Sequence, residues 1–370
     1  MIPLFKVFMA DNAAQKLETV LHSGYIGQGV LVEEFERELH EFLGASHLVT
    51  LNSATSALHL ALHLVKTACP TKTEVLTIPL TCTATNFPIL ANGLVPKWVD
   101  TDPLTCNVDV VDLRRKVSEK TLAIMVVHWG GYPCDLDVIK DIQCECEGLY
   151  GYRPPVIEDC AHAFGATYNG KLLGNHGNYC CFSFQAIKHL TTGDGGLLVC
   201  PDAQSYNRAT LLRWYGLDRN SCIEMRCAQN VREWGFKFHM NDINASIGLS
   251  NLAHTKRILN IHRVNGAYYD MELQDVDGVK LLNCERPGSS YWVYTFRVAD
   301  RDSFVKHMRS KGIAVNRVHD RNDKHHCLQE FRSLLPGTDE ICEDMICIPC
   351  GWWVDEEDRE HIVNNIKERW

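Results

Sequence analysis

Short apolar runs at 47–51, 74–78, 95–99, 122–128, 155–158, 179–184 and 197–200 constrain the fold of this chain more than any other feature. Several are continuous rather than alternating, the pattern of strands covered on both faces. Between them, 53–65, 84–91, 108–117 and 134–148 have helical character. Ahead of the first run, LVEEFERELHEFL (31–43) places Leu31, Phe35, Leu39, Phe42 and Leu43 on one face with glutamates opposite, an amphipathic helix. Strands alternating with helices predict an α/β fold with a mostly parallel sheet between helical layers.

From about residue 201 the pattern changes. LRWYGLDR (212–219) and WGFKFHMNDINASIGL (234–249) are dense in aromatic and charged residues. A long helix over about 250–274 leads to a smaller α/β region, with a strand at 294–298, a helix at 301–311, a strand at 313–318 and a closing helix at 356–370. At 370 residues the chain has room for two units, which we place at 1–250 and 251–370.

A net charge of −9 and the lack of a long basic run argue against a nucleic-acid partner. No apolar stretch approaches membrane-spanning length, and MIPLFKVFMADNAAQ lacks the marks of a signal peptide, so a soluble, cytoplasmic protein is expected. The seventeen cysteines are scattered. Cys342, Cys347 and Cys350 form a C-x4-C-x2-C run, but neither this nor Cys144 with Cys146 has the paired spacing of a zinc site. Reduced, mostly buried thiols and no metal are expected.

Ligands of open parallel sheets sit at the carboxyl ends of strands. After the first strand comes Asn52-Ser53-Ala54-Thr55-Ser56, hydroxylated residues opening a helix, either a phosphate cradle or an ordinary N-cap. The run at 155–158 leads into Glu158-Asp159, with His162 three residues on, so the acid could pair with a protonated ring nitrogen or cap the next helix. The run at 179–184 delivers Ser183. The loop CFSFQAIKHLTTGDGG then carries Lys188, either an amine poised for a Schiff base or a solvated loop lysine. Together these are what pyridoxal phosphate requires: an amine for its aldehyde, a carboxylate for its pyridinium nitrogen, and backbone donors for its phosphate. The polar loop HDRNDKHH (319–326) is either solvated surface or an anion contact.

These residues resemble the sugar aminotransferases of the DegT/DnrJ/EryC/StrS family over nearly the whole chain. SGYIGQGVLVEEFERELHEFLG is similar to the family's opening signature, NSATSALHLAL to its phosphate loop and VIEDCAHAFGA to its pyridine-nitrogen segment. CFSFQAIKHLTTGDGG is similar to its Schiff-base loop, and FKFHMNDINASIGL to the stretch that reaches the neighbouring subunit. The resemblance implies a fold-type I pyridoxal phosphate transferase, aspartate aminotransferase-like, with a mostly parallel seven-stranded central sheet and a smaller C-terminal α/β domain. It makes Lys188 the Schiff-base lysine and general acid/base, Asp159 the partner of the pyridinium nitrogen, and His162 (glutamine in many members) a neighbour of the ring hydroxyl. Ala54 by its backbone, Thr55 and Ser183 would hold the phosphate. Cys82 stands where an aromatic often stacks on the ring. Lys237 and His239 replace an asparagine and an arginine, the asparagine usually completing the phosphate site of the partner subunit in a homodimer with shared sites.

The implied reaction is ping-pong. An amino group, with glutamate as donor, moves to the keto carbon of a nucleotide-linked 4-keto-6-deoxy sugar. TTGDGG is closest to the enzymes that aminate carbon 4, such as perosamine synthases, with carbon-3 amination as the alternative. Relatives that replace the lysine by histidine are dehydratases; Lys188 argues against that reading, and intact Asp159 and Lys188 argue against a non-catalytic regulator or scaffold. Tyr25, Trp292, His319, Arg321 and His325 are candidates for the sugar and diphosphate pocket.

Overall fold

The computed structural model describes residues 1–221, 225–282 and 288–370. Its strands are β1 (Leu48–Leu51), β2 (Glu74–Thr77), β3 (Val95–Trp98), β4 (Thr121–Val127), β5 (Val156–Asp159), β6 (Thr167–Tyr168), β7 (Lys171–Leu172), β8 (Tyr179–Ser183), β9 (Gly196–Val199), β10 (Val279–Leu281), β11 (Tyr294–Val298) and β12 (Met345–Ile348). Its α-helices are α1 (Ala13–Leu21), α2 (Val30–Leu43), α3 (Ala54–Ala68), α4 (Thr83–Ala91), α5 (Val110–Lys116), α6 (Leu136–Tyr150), α7 (Ala203–Leu212), α8 (Asp242–Leu252), α9 (Thr255–Leu273), α10 (Arg301–Ser310), α11 (Pro336–Asp344) and α12 (Glu356–Lys367).

Seven strands form the central sheet in the order β1-β9-β8-β5-β4-β2-β3. All neighbours are parallel except β9, which runs antiparallel to both β1 and β8. The apolar runs are continuous because both faces are covered. Ile124 and Val126 of β4 pack into one core with Phe35, Phe182 and Phe184, while Ala123 and Met125 of the same strand pack into another with Leu58, Leu62 and Leu198. Successive side chains of a strand point to opposite faces, so a strand that feeds two cores has no polar side to show.

Two features of the topology position the site. β1 and β8 run the same way with β9 between them, so their carboxyl ends share one edge of the sheet with that of β5. Register then sets Ser183 beside Gly196 and Gly196 beside Leu51, and pairs Asp159 with Cys181.

A second, antiparallel sheet, β10-β11-β12, packs with α9, α10 and α12 around Tyr269, Phe296, Phe304, Ile346, Ile362 and Ile366. Ile2 pairs with Ile313, tying the chain's start to this layer. Two expectations change here. Residues 313–318 form only isolated bridges, Ile313 to Ile2 and Asn316 to Cys347, and the third strand is instead Met345–Ile348, inside the cysteine run. The helix expected over 250–274 is two, α8 and α9, broken at Ala253–His254. No described helix is long and apolar enough to cross a membrane. All fifteen described cysteines are free thiols.

Candidate active site

Ser53, Ala54 and Thr55, the expected phosphate loop, lie where β1 meets α3. Ser53, in extended conformation, is the N-cap, its hydroxyl accepting from the Ser56 amide at 3.1 Å. The amides of Ala54 and Thr55 open the helix, where N–H groups have no intrahelical acceptor and the helix dipole favours an anion. A Cβ on Gly196 would lie 2.3 Å from the Ser53 carbonyl carbon and 2.5 Å from the Ala54 amide nitrogen. Glycine there lets the cradle close onto β9, whose other neighbour carries Ser183. Lys237 is exposed at the rim of this loop. Its carbonyl accepts from Asn52 Nδ2 at 3.4 Å, and the Asn52 amide donates to Phe238 O at 2.6 Å.

Asp159 closes β5. It is buried, and its two oxygens accept from Thr85 Oγ1 at 2.7 Å and from the Ala161 amide at 3.0 Å. Thr85 Oγ1 is in turn 2.8 Å from Thr81 Oγ1. Burial pushes the Asp159 pKa up, while Thr85, the Ala161 amide and the Lys188 charge pull it back. Behind it, Glu158 faces the other side of the strand and accepts from His128 Nε2 and Asn178 Nδ2, each at 2.8 Å. The Cys134 amide donates to His128 Nδ1 at 3.0 Å, which fixes the ring proton on Nε2. Neither Thr85 nor this Glu158–His128 support was anticipated from the sequence. A threonine in a helix two strands away carries no local signal, although the strand-end pair Glu158-Asp159 marks where to look.

Lys188 meets an aromatic wall. Its ammonium lies 3.8 Å from the Trp292 ring centroid. Burial lowers its pKa to about 8, against the pull of Asp159 and Cys82. The His162 ring stacks on Trp292 at 3.8 Å and 13°. His319 Nε2 lies 3.3 Å from His162 Nε2, and Trp129 sets its edge against both imidazoles. Trp292 is held by its own amide, which donates to Gly130 O at 2.8 Å, and by its indole N–H, which donates to Ile187 O at 2.9 Å.

The structure thus gathers Lys188, Asp159, His162, Trp292 and His319, with Cys82 at the N-cap of α4 within electrostatic reach of Lys188. Ala54, Thr55 and Ser183 stand at the same sheet edge, whereas Arg321, His325 and Tyr25 have partners of their own. Arg321 is a correction: its guanidinium pairs with the buried Asp323 at 2.6 Å and with Asp339, so its charge is already matched by two carboxylates that hold the 319–326 loop. The same pairing, with Asn322 and Asp323 buried, shows that this loop is anchored and not a solvated excursion. His325 is half-buried beside Phe87. Tyr25 is 51% exposed; its hydroxyl donates to Gln28 O and accepts from Arg219.

The residues present fit pyridoxal phosphate. An amine of depressed pKa, a buried carboxylate and an anion cradle stand at one sheet edge. His162 Nδ1 is buried and has no partner among the described residues, a deficit of about 1–3 kcal/mol that a ligand oxygen would relieve.

The model of the DegT/DnrJ/EryC1/StrS aminotransferase family matches residues 8–367. The chain is similar to AtS13 from Actinomadura melliaura, a crystal structure with TM-score 0.97 and 49% identity, over 100% of this chain and 99% of that one. It is similar to the sugar aminotransferase CalS13 from Micromonospora echinospora, with TM-score 0.95 and 45% identity over 100% of both chains. GDP-perosamine synthase from Caulobacter vibrioides is 33% identical over 77% of this chain and 75% of its own length. A match of this extent, on a seven-stranded sheet with its lysine and acid at one edge, makes the chain a sugar aminotransferase of fold type I, a member of the DegT/DnrJ/EryC1/StrS aminotransferase family.

Proposed function

We propose that this enzyme uses pyridoxal phosphate to transfer an amino group from glutamate to carbon 4 of a nucleotide-linked 4-keto-6-deoxy sugar. The observation that carries the reading is Lys188, its ammonium 3.8 Å from the Trp292 ring centroid and its pKa lowered to about 8, standing within electrostatic reach of the buried carboxylate of Asp159. When bound, the cofactor supplies an aldehyde that takes up amines and a heterocycle that accepts the electron pair left by a broken carbon–hydrogen bond.

Lys188, unprotonated in a useful fraction at neutral pH, would be the residue that holds the cofactor through its aldehyde. Its free amine would serve as the general acid/base, taking the proton from the donor's α-carbon and delivering one in the sugar half-reaction. Asp159, as a carboxylate held by Thr85 and the Ala161 amide, keeps the ring nitrogen protonated. Ala54 and Thr55 donate amides, and Ser183 its hydroxyl, to the phosphate. Lys237 adds a point charge to the partner subunit's cradle in a homodimer. Cys82 borders the ring, and Trp292 and His319 border the sugar. Tyr25 and His325 belong to the nucleotide end, Tyr25 reaching it from the partner subunit.

Residues 1–250 then form the cofactor-binding unit, and 251–370 a smaller unit that closes the site with Trp292 and His319. Carbon 4 is supported by the likeness of TTGDGG and by the relative named GDP-perosamine synthase. A cytoplasmic location follows from the nucleotide-linked substrate.

Purified enzyme should be yellow, with a visible band that borohydride abolishes, and a colourless protein after incubation with pyridoxal phosphate would defeat the reading. Glutamate with a panel of nucleotide ketosugars should give a product in which C=O has become CH–NH2, located at carbon 4 by NMR. Amination at carbon 3 would correct the position, and loss of water without nitrogen gain would turn the assignment to a dehydratase.

A further inference from the structure

His162 has one nitrogen facing His319 and the other, Nδ1, buried with no partner among the described residues. The two imidazole planes are nearly parallel, 7° apart, with centroids 5.3 Å apart and Nε2 atoms 3.3 Å apart. That separation is far too long for face-to-face contact and close to the N···N distance plus the two ring radii. The rings therefore meet end to end, as in an N–H···N hydrogen bond. Trp129, edge-on to both at 84° and 83°, and Trp292, stacked on His162, hold the two planes in place.

A neutral imidazole carries one proton and offers one lone pair. Burial and the Lys188 charge hold both rings below the ordinary histidine range, so both are neutral near pH 7. Between the facing nitrogens there is then one proton, and its owner decides what His162 presents at Nδ1. Were it on His162 Nε2, Nδ1 would be a bare lone pair. Were it on His319 Nε2, the single proton of His162 must sit on Nδ1, a buried donor without an acceptor. The cofactor carries a ring oxygen next to the carbon that meets Lys188, and that oxygen is anionic while Asp159 keeps the nitrogen protonated. His162 and Lys188 share one indole face-contact partner, Trp292. The acceptor missing from the protein is thus the one the cofactor brings.

We infer that His319 is a positioning residue that donates its Nε2–H to His162, locking His162 in the tautomer that offers Nδ1–H to the cofactor's ring oxygen. This rests on the pyridoxal phosphate reading, but its first test does not.

In cofactor-free protein labelled with 15N-histidine, the His162 shifts (assigned with H162Q) should show Nδ1 protonated and Nε2 unprotonated. H319Q, whose amide can still donate, should keep that signature, and H319L should lose it. A proton on His162 Nε2 in the parent protein, or an H319L spectrum unchanged at His162, overturns the inference. Loading then reads the consequence: the visible band of bound cofactor should shift in H319L and hold in H319Q, and a band identical in all three would sever His319 from the cofactor. A protein that binds no pyridoxal phosphate would defeat the functional reading instead, with the tautomer already decided.

Discussion

The burial that lowers the Lys188 pKa is a cost that folding must cover. Holding a lysine at about 8 instead of 10.5 disfavours the native state by on the order of 2 kcal/mol at neutral pH, after allowing for the side chain's partial exposure. Because the folded pKa is the lower one, the unfolded chain binds more protons. The penalty is therefore complete below pH 8 and fades as pH rises towards 10.5. Lys188→Met should raise the denaturation midpoint of the cofactor-free protein at pH 7, by less than the full penalty because Asp159 loses a balancing charge, and the gain should vanish near pH 10.5. A variant equally stabilised at both pH values would show that packing, not charge burial, is responsible. Asp159 gives the opposite limb. Thr85→Val removes a donor to its carboxylate, a loss of about 1.5–3 kcal/mol for a bond to a charged group. Its already raised pKa climbs further, so the acid limb of kcat/KM should move to higher pH. An unmoved limb would mean that the Ala161 amide and Lys188 suffice.

At the scale of elements, the proposed anion cradle depends on the approach of α3 to β9, and one missing side chain permits that approach. Gly196→Ala would drive a methyl group into the Ser53–Ala54 peptide, with no flexible atom to give way. The cradle must lift, and affinity for pyridoxal phosphate should fall by roughly tenfold or more, the equivalent of about 1.4 kcal/mol. Ser53→Ala, which only uncaps the helix, should cost stability of about 1 kcal/mol and weaken cofactor binding less. Equal losses in a cofactor titration of the two variants would contradict this division. These elements were legible because buried strands write unbroken apolar runs and their carboxyl ends then single out Ser53, Asp159, Ser183 and Lys188. The small layer was harder. MICI (345–348) is as apolar as any core strand but only four residues long, and 313–318, apolar enough for a strand, is held only by bridges to Ile2 and Cys347. Arg321 misled for a related reason. A charged loop in sequence does not say whether its cation is already claimed, and here Asp323, two residues on, claims it. His319 was legible as a site residue, but its end-to-end contact with His162 spans 157 positions and has no local trace.

At the scale of the whole molecule, the proposed homodimer has exposed aromatic and apolar side chains to cover. Tyr25, Val30, Tyr215 and Trp234 are 51%, 72%, 42% and 67% exposed. Tyr25 is bonded to Arg219, whose guanidinium lies 5.0 Å from the Trp214 ring centroid, and Trp214 pairs across a bridge with exposed Lys237. An apolar collar with a cation at its rim, beside the phosphate cradle, suits a second copy of the same chain. Whether Lys237 serves its own cradle or the partner's can be decided by mixing two inactive subunits. Lys188→Ala has no amine, and Lys237→Ala lacks the rim charge. If the charge crosses the interface, the mixed dimer contains one site with Lys188 from one subunit and Lys237 from the other, both intact, while its second site lacks both. Mixed dimers should then recover about half the parent activity per dimer, one working site of two, with one tightly bound cofactor. If the charge acts within its own subunit, each site lacks one group and the mixture does no better than the average of the two variants. Titrating cofactor into the isolated mixed dimer separates the cases even if Lys237→Ala retains some turnover, because only the crossed arrangement yields one tight site of parental affinity.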